Sequence, residues 1–125
     1  MSVKGIRVAF ADDNDLARQA LSNRLQSSDI VSLVGVARDG NEALELARTT
    51  RPDVFLVDVV MPGLNGLELT KVLSEELPEV GVIILTVKEL LAPADVFGAG
   101  ASGFLLKYDL IPELDDAISS VSQGQ

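Results

Sequence analysis

Val54-Phe55-Leu56-Val57-Asp58-Val59-Val60-Met61-Pro62-Gly63 runs from apolar residues into a carboxylate and then into a turn. A short apolar run bounded by turn signals reads as a strand buried on both faces. A charge at the end of such a strand is costly unless it faces solvent, a metal or a partner. Asp58 is therefore expected at the carboxyl edge of a parallel sheet, where open α/β sheets bind their ligands. What else reaches that edge decides the chemistry.

Upstream of this run, Ile6 to Ala11 reads as a first strand stopping at Asp12-Asp13, and Val31 to Ala37 as a second. Between them, Asn14 or Asp15 can cap a helix whose apolar stripe is Leu16, Ala17, Ala20, Leu21 and Leu25. Asp39 and Glu42, at capping-box spacing, open a second helix with Ala43, Leu44, Leu46 and Ala47 inward, ended before Pro52. Downstream, Asn65 and Glu68 repeat that spacing before a third helix with Leu69, Val72, Leu73 and Leu77 inward, stopped by Pro78. Val82 to Leu85 is a fourth strand closing on Thr86, and Gly103 to Leu106 a fifth ending at Lys107. Between these two strands, Lys88 to Ala99 contains Pro93 and Gly98, so a short or kinked helix is expected there. A last helix is expected from near Pro112, with Leu114, Ala117, Ile118 and Val121 inward.

Strands alternating with helices predict an α/β fold: a doubly wound, flavodoxin-like (βα)5 sandwich with a parallel five-stranded sheet in the order 2-1-3-4-5. In that order the ends of strands one, three, four and five are neighbours. Asp12, Asp13, Asp58, Thr86 and Lys107 would meet in one crevice.

The 125 residues fit one domain, and a 47% apolar content excludes a disordered acidic tail. No apolar run approaches the ~20 residues that span a bilayer, and the opening residues lack a signal-peptide pattern, which fits a cytoplasmic protein. A net charge of −9 argues against this chain alone binding nucleic acid or an anionic membrane. Without cysteine or histidine there is no thiolate nucleophile, no Cys-based zinc site and no imidazole base.

Three carboxylates and one ammonium leave excess negative charge in the crevice, which a hard divalent cation would offset. Mg²⁺ takes oxygen ligands, keeps several waters and binds one or two carboxylates plus substrate phosphate. Thr86 and Lys107 could hold the remaining phosphoryl oxygens. Asp58 could act as an oxygen nucleophile and form an acyl phosphate. Taken singly, each residue has a plainer explanation. Asp12-Asp13 could be helix-cap acids, Asp58 a turn residue, Thr86 a strand-end hydrogen bonder, Lys107 a solvated charge and Phe104 core. The joint pattern is more specific, because each reactive residue closes a different strand in the required order.

Asp12-Asp13, the segment Leu56 to Gly66, Thr86 and Gly100 to Lys107 together resemble the receiver domain of two-component response regulators over essentially the whole chain. Leu85-Thr86-Val87, Gly103 to Lys107 and the Leu114-Ala117-Ile118 helix are most similar to the NarL/LuxR type. The resemblance implies that Asp58 accepts a phosphoryl group from the phosphohistidine of a sensor histidine kinase. It implies that Asp13, Asp58 and the Val60 carbonyl ligate Mg²⁺, with Asp12 close by or acting through water, and that Thr86 and Lys107 bind phosphoryl oxygens. Phe104 takes the place of the switch aromatic, which turns inward as Thr86 moves toward the phosphate. Regulators of this type carry a C-terminal helix-turn-helix domain, so residues 1–125 are expected to be a receiver cut before that output domain, with DNA reached only through it and no membrane contact. A homodimer could form through an apolar patch on the irregular helix around Pro93. The chain departs from the family's pattern in a slightly short interval from Thr86 to Lys107 and in Tyr108 after the lysine. Apolar Val60, which with Lys88 flanks the path of the hydrolytic water, implies a long-lived phosphorylated state.

A stand-alone relay or protein-interaction module is the alternative within the family. From another class, a phosphatase would turn over external substrates rather than hold one phosphoryl group. A flavin-binding protein would want a phosphate loop where Asp12-Asp13-Asn14-Asp15 would repel the phosphate. The chain is therefore expected to be a self-modifying acceptor and not a turnover enzyme.

Overall fold

The computed structural model describes residues 5–58, 65–86, 98, 100–106 and 110–123. Strands β1 (Ile6–Ala11), β2 (Val31–Ala37), β3 (Val54–Asp58), β4 (Gly81–Thr86) and β5 (Gly103–Leu106) form one sheet in the order β2-β1-β3-β4-β5. Every pairing is parallel. Helices α1 (Asp15–Gln26), α2 (Gly40–Thr50), α3 (Gly66–Glu76) and α4 (Leu110–Ser122) complete the described elements. Pro112 lies in the first turn of α4, as its fixed φ allows. The kinked helix expected over Lys88 to Ala99 lies outside the described residues, apart from Gly98.

The two-residue alternation of the strands sorts the core into two layers. Val8 and Phe10 of β1, Val54 and Leu56 of β3, and Ile83 and Leu85 of β4 pack with Leu21 and Leu25 of α1 and Leu114 and Ile118 of α4. The residues between them (Ala9, Ala11, Phe55, Val57, Val82 and Ile84) pack on the other side with Ala43 and Ala47 of α2 and Leu69 and Leu73 of α3. Covering both faces explains why β3 is apolar without alternation. Each fully buried large side chain contributes roughly 1.5–3 kcal/mol relative to exposure.

The caps show how the helices begin. In α3 the box is reciprocal: Glu68 N donates to Asn65 Oδ1 at 2.9 Å, and Asn65 N donates to Glu68 Oε1 at 3.1 Å. In α2 it is not. Asp39 Oδ1 accepts from Glu42 N at 2.8 Å, while Glu42 Oε1 accepts from Arg38 N instead. Gly100 has φ +105° and lies against Ser74 of α3, where a Cβ would stand 2.6 Å from the serine side chain. Glycine suits both demands.

Two expectations for α1 need correction. Leu16 is 77% exposed, and Ala20 is exposed too, so neither joins the buried stripe of Leu21 and Leu25. Along β2, the register slips by one residue between Val8↔Leu33 and Ala9↔Gly35, leaving Val34 as a bulge. Among the described residues no helix is long and apolar enough to cross a membrane.

Candidate functional site

The register sets the site. Ala11 pairs with Val57, so Asp12 follows β1 directly across from Asp58 at the end of β3. Asp58 in turn pairs with Leu85, one residue before Thr86, and Thr86 pairs with Leu106, one residue before Lys107. Four adjacent strands therefore end together at the carboxyl edge. Asp12 and Asp58 continue the Val8–Phe10 and Val54–Leu56 rows, and so belong to the face covered by α1.

Asp12 is 1% exposed and Asp58 7%, whereas Asp13 is exposed at the loop surface. One carboxylate oxygen from each of the three lies within 4.8 Å of the others. The group is therefore able to hold a metal ion, and its all-oxygen donor set suits a hard divalent cation. Like charges at this distance oppose one another, and a cation among them would offset that cost.

The β1–α1 loop is held from several sides. Asn14 caps α1: its Oδ1 accepts from Ala17 N at 2.9 Å, and its own N donates to Asp12 Oδ1 at 2.9 Å. With Asn14 as the cap, Asp15 enters the first turn of α1, where an acid is favoured by the helix dipole. Arg18, one turn later, donates from Nη1 to the Asp12 carbonyl oxygen at 2.9 Å and pairs through Nη2 with Asp15 Oδ1. The sequence reading passed Arg18 over. Its spacing from Asp15, three residues on a helix, was the signal that could have found it.

The sequence-predicted residues are thus placed as follows. Asp12, Asp13 and Asp58 converge. Thr86 and Phe104 occupy β4 and β5, but their side chains, like the whole of Val60, Lys88, Lys107 and Tyr108, lie outside the described residues.

The chain is similar to known proteins. The response regulator receiver domain family matches residues 8–119. The chain is 40% identical over 121 residues to the response regulator GacA of Pseudomonas viridiflava, covering 96% of this chain and 56% of that protein. It is 37% identical over 123 residues to the transcriptional regulatory protein LiaR of Bacillus subtilis, covering 96% and 57%. Among solved structures it is similar to the signal receiver domain of NarL from Mycobacterium tuberculosis, with a TM-score of 0.91 at 32% identity, covering 98% of this chain and 100% of that one. The chain spans little more than half the length of these curated relatives.

Proposed function

The chain belongs to the response regulator receiver domain family, in its NarL/LuxR type, and from that premise we propose that it takes a phosphoryl group from a sensor histidine kinase onto Asp58. The observation that carries this reading is the convergence of a nearly buried Asp58 with Asp12 and Asp13 at the end of the central strand. A carboxylate so placed, at the carboxyl edge of the sheet, can act as an oxygen nucleophile.

The transfer balances without an oxidant or base of the chain's own. An Asp58 oxygen attacks phosphorus, an O–P bond forms and the N–P bond of the phosphohistidine breaks. The bonding pair returns to the imidazole nitrogen, and the ring, protonated at its other nitrogen, leaves neutral. Asp12, Asp13, Asp58 and the Val60 carbonyl are the groups that would hold Mg²⁺. When bound, this ion would supply charge neutralisation for carboxylates and phosphoryl oxygens alike. Thr86 and Lys107 would hold phosphoryl oxygens, and Phe104 would follow Thr86 in the switch between two packings. Relatives named as transcriptional regulators, of which the match spans 54% and 57%, support an output domain that reaches DNA in the whole protein. A cytoplasmic setting and a homodimer through the region around Pro93 fit the same reading, and that region lies outside the described residues.

The test is the intact mass of the protein after incubation with Mg²⁺ and acetyl phosphate, beside Asp58→Asn. The wild type should gain one phosphoryl group and the variant none. No gain in a wild type that demonstrably binds Mg²⁺ would overturn Asp58 as an acceptor.

A further inference from the structure

Arg18 is absent from the acidic cluster, yet it grips the segment that presents it. Its Nη1 bonds the Asp12 carbonyl oxygen at 2.9 Å, and its Nη2 pairs with Asp15 Oδ1. The Arg18 side chain is 16% exposed, so the fork lies against the protein while its partner Asp15 is 89% exposed. Asn14 holds the same turn through its backbone N on Asp12 Oδ1. Asp12 and Asp13 are therefore carried by a turn fixed at the carbonyl of Asp12, at its carboxylate, and at Asp15. A planar guanidinium reaches two acceptors at once, which an ammonium on a flexible stem does not do with the same geometry.

We propose that Arg18 is a positioning residue: by fixing the β1–α1 turn it sets Asp12 and Asp13 at a spacing from Asp58 that favours Mg²⁺ over a larger cation. This rests on the reading of the three acids as a Mg²⁺ site. Mg²⁺ demands a near-ideal octahedron of short bonds, whereas Ca²⁺ accepts more ligands in a looser shell. A relaxed turn should therefore cost Mg²⁺ more than Ca²⁺. Charge alone predicts the opposite sign. A guanidinium beside three carboxylates repels any cation, so removing it would tighten binding if nothing else changed.

The experiment is calorimetric titration of Mg²⁺ and of Ca²⁺ into the wild type, Arg18→Gln and Arg18→Lys, with thermal unfolding in chelator to confirm that each is folded. Groups that orient metal ligands typically contribute 10–100-fold in affinity. Both variants should bind Mg²⁺ about tenfold more weakly, with a smaller change for Ca²⁺, so that the Mg²⁺/Ca²⁺ affinity ratio falls in both. Tighter Mg²⁺ binding by Arg18→Gln, full retention by Arg18→Lys, or equal losses of the two cations would each overturn the proposal while leaving the metal site standing. A wild type that binds no Mg²⁺ would overturn the site and the proposal together. If Arg18→Gln does not fold in chelator, Arg18→Lys, which keeps the charge, decides the outcome.

Discussion

β3 has an acid at each end, and the two are treated in opposite ways. Asp53, just before the strand, is exposed, and its Oδ2 accepts from Arg7 N at 2.9 Å while its own N donates to the Arg7 carbonyl at 2.8 Å. Around it, Arg7 Nη1 donates to the Arg51 carbonyl at 3.0 Å, Arg51 pairs with Glu79 at 2.9 Å, and Arg48 pairs with Glu76 at 2.8 Å. Asp58, five residues on, is nearly buried and shares its surroundings with Asp12 and Asp13. At the amino edge, opposite charges and backbone amides balance each acid within the chain. At the carboxyl edge, three like charges gather around Asp12, whose Oδ1 accepts from the Asn14 amide, and a cation among them would offset their repulsion.

The largest separation between the two ends should come from Mg²⁺ itself. At about a hundred times its dissociation constant, a ligand that binds only the folded state adds about 2.7 kcal/mol. That increment should appear in the wild type and in Asp53→Ala and be lost in Asp58→Asn, as measured by denaturant unfolding with and without Mg²⁺. An increment that survives in Asp58→Asn would place the cation elsewhere.

In chelator the two substitutions should differ in sign. Asp58→Asn removes one of three apposed like charges and should raise stability, as denaturant unfolding in chelator measures. Asp53→Ala removes the acceptor of the Arg7 amide and should lower stability by about 1 kcal/mol. Equal signs would erase the distinction between the ends.

The smallest effect should be one of pH, and it can be read at the amino edge. The bidentate hydrogen bonds from Arg48 hold the Glu76 carboxyl below its usual range. A carboxyl depressed in the folded state stabilises above its unfolded pKa, and this contribution disappears as pH falls through the folded value. Wild type and Glu76→Gln should thus differ slightly in unfolding midpoint near neutral pH and converge in acid. Because both side chains are well exposed, added salt should shrink the difference as well.

The sheet was legible because its apolar runs give way to polar residues: Asp12, Asp58, Thr86 and Lys107, with Asp39-Gly40 after the second. The convergence of Asp12, Asp13 and Asp58 followed from strand order alone, since neighbouring parallel strands must end at one edge. Leu16 was misread because helical periodicity identifies a face and says nothing of where the surface that covers it stops. Ala20 was misread because a small side chain marks no face strongly. Glu42 was at the right spacing for a capping box, but a neighbouring donor, Arg38, took its carboxylate. Arg18 escaped notice for a related reason. A charged helix residue is usually solvated, and while the spacing from Asp15 hints at a pair, the bond to the Asp12 carbonyl depends on the fold.

The bulge at Val34 has a consequence for the protein at high concentration. Among the described residues β2 ends the sheet on one side, and its outer row of amides and carbonyls has no strand beyond it. A regular edge would accept the same strand from another molecule and let chains add one after another. The slip between Val8↔Leu33 and Ala9↔Gly35 breaks the even spacing such growth needs and bends the edge locally. The irregularity that interrupts pairing inside the fold thereby guards against polymerisation, and restoring a regular ladder by deleting Val34 would leave the fold a more uniform template for fibres.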